Sequence, residues 1–255
     1  MNRFITAALA LLFLGGPGPA LAGPSWEWVG TIDGVKTWRK EVKGQDTVAF
    51  KGVVFADVHI GKVLEVFVDG NQRRHWVDRY DDHKTFKKAP FLEEYWISFD
   101  LPWPVSNRDY VLRSVGSADE AEGVYVCDIK SINLKQAPEH DCCVRAQAYG
   151  TYYKFEAFRG KTKTKLTVEV HTDPKGILPS WLVNVIQKSW PSKTLNGLVR
   201  RAKKVNKIAD GYGKWHDELP PPPPPAPPAA PVETPAPAAD PAAAPAPAAA
   251  PAATP

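Results

Sequence analysis

The chain has 255 residues, with 32 Lys and Arg against 28 Asp and Glu; setting aside a hydrophobic leader and a Pro/Ala run at the two ends leaves about 195 residues, the length of one domain. Arg3 lies in the leader and Asp217, Glu218, Glu233 and Asp240 in the tail, so residues 23–215 hold 31 basic and 24 acidic side chains, a bias towards anionic surfaces. The two signs are interspersed, which ranks a lipid headgroup surface above nucleic acid, and nine Trp, eight Tyr and ten Phe exclude a disordered centre.

Met1-Asn2-Arg3 is a positive start, Phe4 to Leu14 an apolar stretch, and Ala20-Leu21-Ala22 a small-residue cleavage site before Gly23. Residues 1–22 therefore read as a signal peptide, too short for the roughly 20 apolar residues of a spanning helix. Position 23 is Gly where a lipoprotein would have Cys. The expectation is an exported soluble protein, secreted or periplasmic.

Val35–Val42 and Thr47–Phe55 alternate as two strands around the turn Lys43-Gly44-Gln45-Asp46. Residues 59–68 place Ile60, Val63, Leu64 and Phe67 on one helical face, with Asp57 as the expected N-cap. Strand-like runs follow at 82–88, 91–100, 110–117, 124–134, 144–158 and 163–171, each closed by Gly, Pro, Asn or Asp. Residues 180–209 read as a long helix that Pro191 should bend or restart. The pattern predicts an α+β fold of seven or eight antiparallel strands curved around the last helix, a cup able to enclose a cavity.

Export makes the three cysteines worth placing. A hairpin of residues 123–135 and 142–153 turning near Pro138 sets Cys127 opposite Tyr149, far from Cys142, and the expectation is free, buried thiols. The sequence has no CxxC, HExxH or H-x-H, so neither a metal nor another cofactor is expected. Residues 216–255 form a tail with 16 prolines between Pro220 and Pro255, an extended spacer or a ligand for a partner's aromatic groove.

The stretch from Tyr95 to Val111, with Pro102-Trp103-Pro104-Val105-Ser106-Asn107-Arg108-Asp109-Tyr110-Val111 at its centre, resembles the START (steroidogenic acute regulatory protein-related lipid transfer) domain family. Asp33-Gly34-Val35-Lys36 and the run from Asp173 to Asn184 agree with it in the same order, so the resemblance spans nearly all of residues 26–208. It implies the helix-grip fold, a tunnel for one lipid, and transport or sensing without chemistry. The block 23–215 is then a START-like lipid-binding domain, expected as a monomer that touches membranes transiently.

Compared with family members that carry phosphatidylcholine, Arg73 falls at a phosphate-binding arginine, and Tyr110 and Tyr149 at two tyrosines of an aromatic cage for the quaternary ammonium. Trp96 completes the cage if one residue is gapped before Pro102; ungapped, Ile97 takes its place. Sterol-binding members imply a second arrangement, an ion pair of Arg113 with Asp100. Arg108 and Asp109 are expected to fix a turn, and Trp103 to pack a loop or touch a membrane. Trp181, Leu182 and Val185 lie on the face of the last helix that the resemblance makes a movable lid. A phospholipid such as phosphatidylcholine is the favoured ligand, with a sterol or another hydrophobic molecule as the alternative. The helix-grip superfamily also contains cyclases and hydrolases, but the chain has no G-x-S-x-G, metal motif or close carboxylate pair, so no catalysis is expected.

Overall fold

Asp33 and Gly34 both take positive φ, 48° and 80°, the backbone a two-residue hairpin turn needs, and they join β1 (Glu27–Ile32) to β2 (Val35–Glu41). Sequence alternation does not show β1, because it is an edge strand bulged between Trp28 and Gly30 and half exposed, with no buried residue. This computed structural model describes residues 25–217 except 46, 140, 177 and 179, with only the backbone of 180–188. The leader, the tail beyond Asp217 and the side chains of Trp181, Leu182 and Val185 lie outside the described residues.

From β3 (Val48–Ala56) the chain passes through α1 (Ile60–Phe67) and a 3-10 turn (Gly70–His75) into β4 (Tyr80–Ala89), β5 (Leu92–Phe99), β6 (Asn107–Asp119) and β7 (Val124–Ser131). The short β8 (Cys143–Arg145), β9 (Gln147–Ala157), β10 (Thr164–Asp173) and α2 (Ser180–Ala202) complete it. The sheet runs β1-β2-β3-β10-β9-β7-β6-β5-β4, antiparallel throughout, with β8 added in parallel to the start of β6. The expected curved antiparallel sheet around a terminal helix is present, with more strands than the sequence pattern showed.

The apolar face of α1 is buried as its spacing requires, Ile60, Val63 and Leu64 completely. Its N-cap is His59, whose Nδ1 accepts from the Gly61 N–H at 3.0 Å; Asp57, the expected cap, stands two residues too early. Pro191 lies inside a continuous α2 and does not restart it. Gly52 of β3 makes room for it, since a Cβ at Gly52 would lie 2.8 Å from the Pro191 Cβ. The helix ends at Ala202, short of the expected 209, and residues 203–217 fold back onto α1, with Ala209 N–H donating to Gly61 O at 3.0 Å. Trp215 and His216 are buried, so the packed unit runs past the expected boundary at 215.

Cys127 is a free, buried thiol as expected. Cys142 and Cys143, expected free, form a disulfide between sequence neighbours. Strand spacing keeps Cys127 away from Cys142 but places no distance between two cysteines adjacent in sequence. In the β7–β9 ladder Cys127 faces Tyr153, with Tyr149 further along.

Candidate functional site

Between the inner face of the sheet and the α1–α2 side lies a cavity of about 870 Å³, within the range of small-ligand sites. Its walls follow the strand alternation: Tyr95, Ile97 and Phe99 from β5, Tyr110 and Leu112 from β6, Tyr125, Cys127 and Ile129 from β7. Phe67 and Trp76 close it from the helical side, Trp190 of α2 and Tyr212 of the returning segment from the ends. Burial pushes the Cys127 thiol up to about 12, so it is protonated and inert.

Arg73 lines this cavity and is 6% exposed. The 3-10 turn delivers it onto β5, where its guanidinium carbon sits 3.9 Å from the centroid of the Tyr95 ring. Glu93, also 6% exposed, takes Arg73 Nη1 on Oε1 at 3.2 Å and Nη2 in a closer contact on Oε2. Thr85 Oγ1 donates to the same Oε1 at 2.8 Å. Burial acts to lower the Arg73 pKa, but Tyr95 and Glu93 more than offset it and the guanidinium stays charged. Sequence reasoning missed Glu93; the signal was two acids, Glu93 and Glu94, inside an otherwise apolar strand.

Tyr110 is also in the wall, edge-on to Phe99 with centroids 5.6 Å apart, and burial pushes its hydroxyl up to about 12. The other expected cage members are elsewhere. The β5–β6 ladder is unbroken, pairing Ile97 with Tyr110 and Trp96 with Val111. Ile97 therefore faces the cavity, while Trp96 is on the opposite face and donates to Asp109 Oδ2 at 2.7 Å. Tyr149 is displaced by a bulge, as β10 passes from His171 opposite Gly150 to Thr172 opposite Ala148. The extra residue turns Tyr149 out of the cavity, against the His171 ring at 4.9 Å and the Asp173 carboxylate at 3.4 Å.

Arg113 and Asp100 do not meet. Arg113 pairs with Glu94 directly across the ladder at 2.7 Å, its side chain half exposed. Extending that register puts Asp100 beside Asn107, six residues and about 20 Å away. Arg108 donates to the carbonyls of Pro174 and Lys175, each at 3.0 Å, and the buried Asp109 is held by Arg145 at 2.9 and 3.0 Å; Arg108, 3% exposed, also lines the cavity. Trp103 does not pack a loop, being 93% exposed. No group of three metal-ligating side chains occurs among the described residues.

These positions separate the tyrosines. Tyr110→Ala is expected to lower uptake of phosphatidylcholine from vesicles about tenfold, the loss of one large buried contact, and Tyr149→Ala to stay within about twofold of the unmodified chain. Equal losses in a mass-spectrometric uptake assay would put Tyr149 back at the ligand.

A sequence model of the START domain family matches residues 22–208. An uncharacterized protein of Pseudomonas aeruginosa is 31% identical over 198 residues, covering 77% of this chain and 95% of its own. The phosphatidylcholine transfer protein of Rattus norvegicus is 28% identical over 204 residues, covering 77% of this chain and 89% of its own. Among solved structures, human StAR-related lipid transfer protein 5 superimposes with a TM-score of 0.65 at 18% identity, over 73% of this chain and 89% of that one. That structural likeness shows the fold.

Proposed function

The chain belongs to the START domain family, and from that premise we propose that it carries one lipid at a time through water inside the cavity between sheet and helix. The observation that carries this reading is the cavity itself, about 870 Å³ of mainly aromatic and aliphatic wall with the buried Arg73–Glu93 ion pair and the buried Arg108. Enclosing acyl chains there removes apolar surface from water, worth roughly 25 cal/mol per Å². The reading is one of binding and transfer, without catalysis.

A zwitterionic phospholipid is the favoured ligand. A relative named phosphatidylcholine transfer protein supports it, as do Arg73 and Tyr110 in the cavity wall. A sterol-like hydroxyl is the second reading, favoured by the fact that Glu93 already neutralises Arg73. We also propose export to the periplasm or medium, supported by the Arg3, Phe4–Leu14 and Ala20-Leu21-Ala22 pattern and by a disulfide of the kind that persists in oxidising compartments. We further propose that the carrier acts as a monomer and that its Pro-rich segment, residues 216–255, takes a partner.

Native mass spectrometry of the protein purified from its own cells, followed by lipid extraction, tests these together. The expected result is one lipid per chain on a polypeptide that begins at Gly23. A folded protein that holds no lipid and takes none from vesicles overturns the carrier reading; a retained leader overturns export.

Transient docking on a membrane is assigned to the loop of Trp103, which is 93% exposed two residues beyond the cavity-lining Leu101, since Trp favours the bilayer interface. Trp103→Ala should leave stability within about 0.5 kcal/mol and weaken binding to phosphatidylcholine vesicles about tenfold. Unchanged vesicle sedimentation would exclude this loop as the anchor.

A further inference from the structure

The ion pair in the wall of the cavity carries more information than the presence of an arginine. Glu93 occupies two of the five N–H donors of Arg73. With Thr85 added, three of about four acceptor positions on the Glu93 carboxylate are taken. The pair thus keeps donors and an acceptor side by side, both among the residues lining the cavity. It is walled on one side at Gly70, where even a Cβ would lie 3.0 Å from Arg73 Nη1 and 3.2 Å from Glu93 Oε1.

Such a pair is electrically neutral and strongly dipolar. An anionic head brought to Arg73 meets the Glu93 charge at the same short range, and repulsion offsets attraction. A zwitterion laid antiparallel to the pair puts phosphate on Arg73 and ammonium on Glu93, satisfying both ends. The ring cage expected for a quaternary ammonium is not assembled, because Trp96 and Tyr149 lie outside the cavity. The cationic end of the head therefore meets a carboxylate, which rewards N–H donors. A primary ammonium has three and a quaternary one none.

We propose that the ligand is a phospholipid with a primary-ammonium zwitterionic head, of the phosphatidylethanolamine class, and that Glu93 is the residue that selects it by receiving the ammonium while Arg73 receives the phosphate. The inference rests on the phospholipid-carrier reading above. Its geometric basis is the buried Arg73–Glu93 pair in the wall of an otherwise largely apolar cavity.

The test uses the full chain freed of lipid and mixed with vesicles holding equal amounts of phosphatidylethanolamine, its N-methyl and N,N-dimethyl derivatives, phosphatidylcholine, phosphatidylglycerol and the uncharged diacylglycerol. Bound lipid is then counted by mass. Occupancy should fall at each methylation, about tenfold from first to last. Glu93→Gln should flatten the series and raise phosphatidylglycerol uptake about tenfold over the unmodified chain. A flat or reversed series in the unmodified protein, or one that persists in Glu93→Gln, overturns the assignment. Should Glu93→Gln fail to fold, the series in the unmodified protein decides alone. Uptake restricted to uncharged lipids overturns the headgroup assignment and leaves the carrier standing; uptake of no lipid overturns the carrier reading itself.

Discussion

Arg73→Met should destabilise the protein by about 3–5 kcal/mol, and adding Glu93→Met should recover most of that loss. The single change leaves a carboxylate that is 6% exposed with Thr85 as its remaining side-chain partner, against the wall of an apolar cavity. A buried charge without its counter-ion suffers the desolvation penalty undiminished. The double change removes both charges and leaves two flexible apolar side chains of similar reach, which a cavity wall accommodates. Urea titrations of the four proteins of this cycle give the coupling directly. Additive losses would mean that the two charges do not depend on each other. The double variant also divides function from folding: it should still take up lipid, because the apolar walls are intact, and it should no longer distinguish one zwitterionic head from another. A folded double variant with an unchanged preference would remove the pair from the binding site.

What could be read from the sequence follows the range of the interactions involved. The α1 stripe of Ile60, Val63, Leu64 and Phe67 is a local pattern, and all four are buried. The strands were legible for the same reason, apart from the exposed, bulged β1. Arg73, on the 3-10 turn, and Tyr110, on the unshifted β5–β6 ladder, both come to the cavity wall. Tyr149 failed on a single extra residue in β9, which reverses the face and leaves no trace in hydrophobic alternation. Trp96 failed for lack of a bulge in β5, where the ladder to β6 runs unshifted and Ile97 takes the inner position. The partner of Arg113 depended on register, which pairs it with Glu94 rather than Asp100. Glu93 reaches Arg73 across 20 residues, from a strand to a 3-10 turn, a contact that no local periodicity encodes. The pattern did hold a clue: two adjacent carboxylates, both buried near the start of the otherwise apolar β5, require cations, and one of them faces the cavity.

Gly197→Ala should lower stability by about 3 kcal/mol or more, about 6–12 °C in melting temperature for a domain of this size. In an exposed helix interior the same change would stabilise by up to about 1 kcal/mol, so tertiary packing must reverse the sign. A Cβ at Gly197 would lie 2.3 Å from the Trp76 carbonyl oxygen and 3.1 Å from its C and Cα. These are backbone atoms, unable to swing aside, and α2 or the 3-10 turn must move bodily. The turn is tied to the binding site, since the Trp76 and Val77 N–H groups donate to the Arg73 carbonyl at 3.1 and 2.9 Å. Displacing Trp76 therefore displaces Arg73 relative to Glu93 on β5. Lipid uptake should fall together with stability, although Gly197 is not among the residues lining the cavity. Gly213→Ala is the control, because a Cβ there meets nothing within 4 Å, and thermal denaturation should place it within about 0.5 kcal/mol of the unmodified chain. A Gly197→Ala protein as stable as this control would mean that α2 is not seated on the turn through Gly197. A destabilised one that still binds lipid normally would mean that the Arg73–Glu93 pair keeps its geometry independently of the helix, and that sheet and turn alone form the headgroup site.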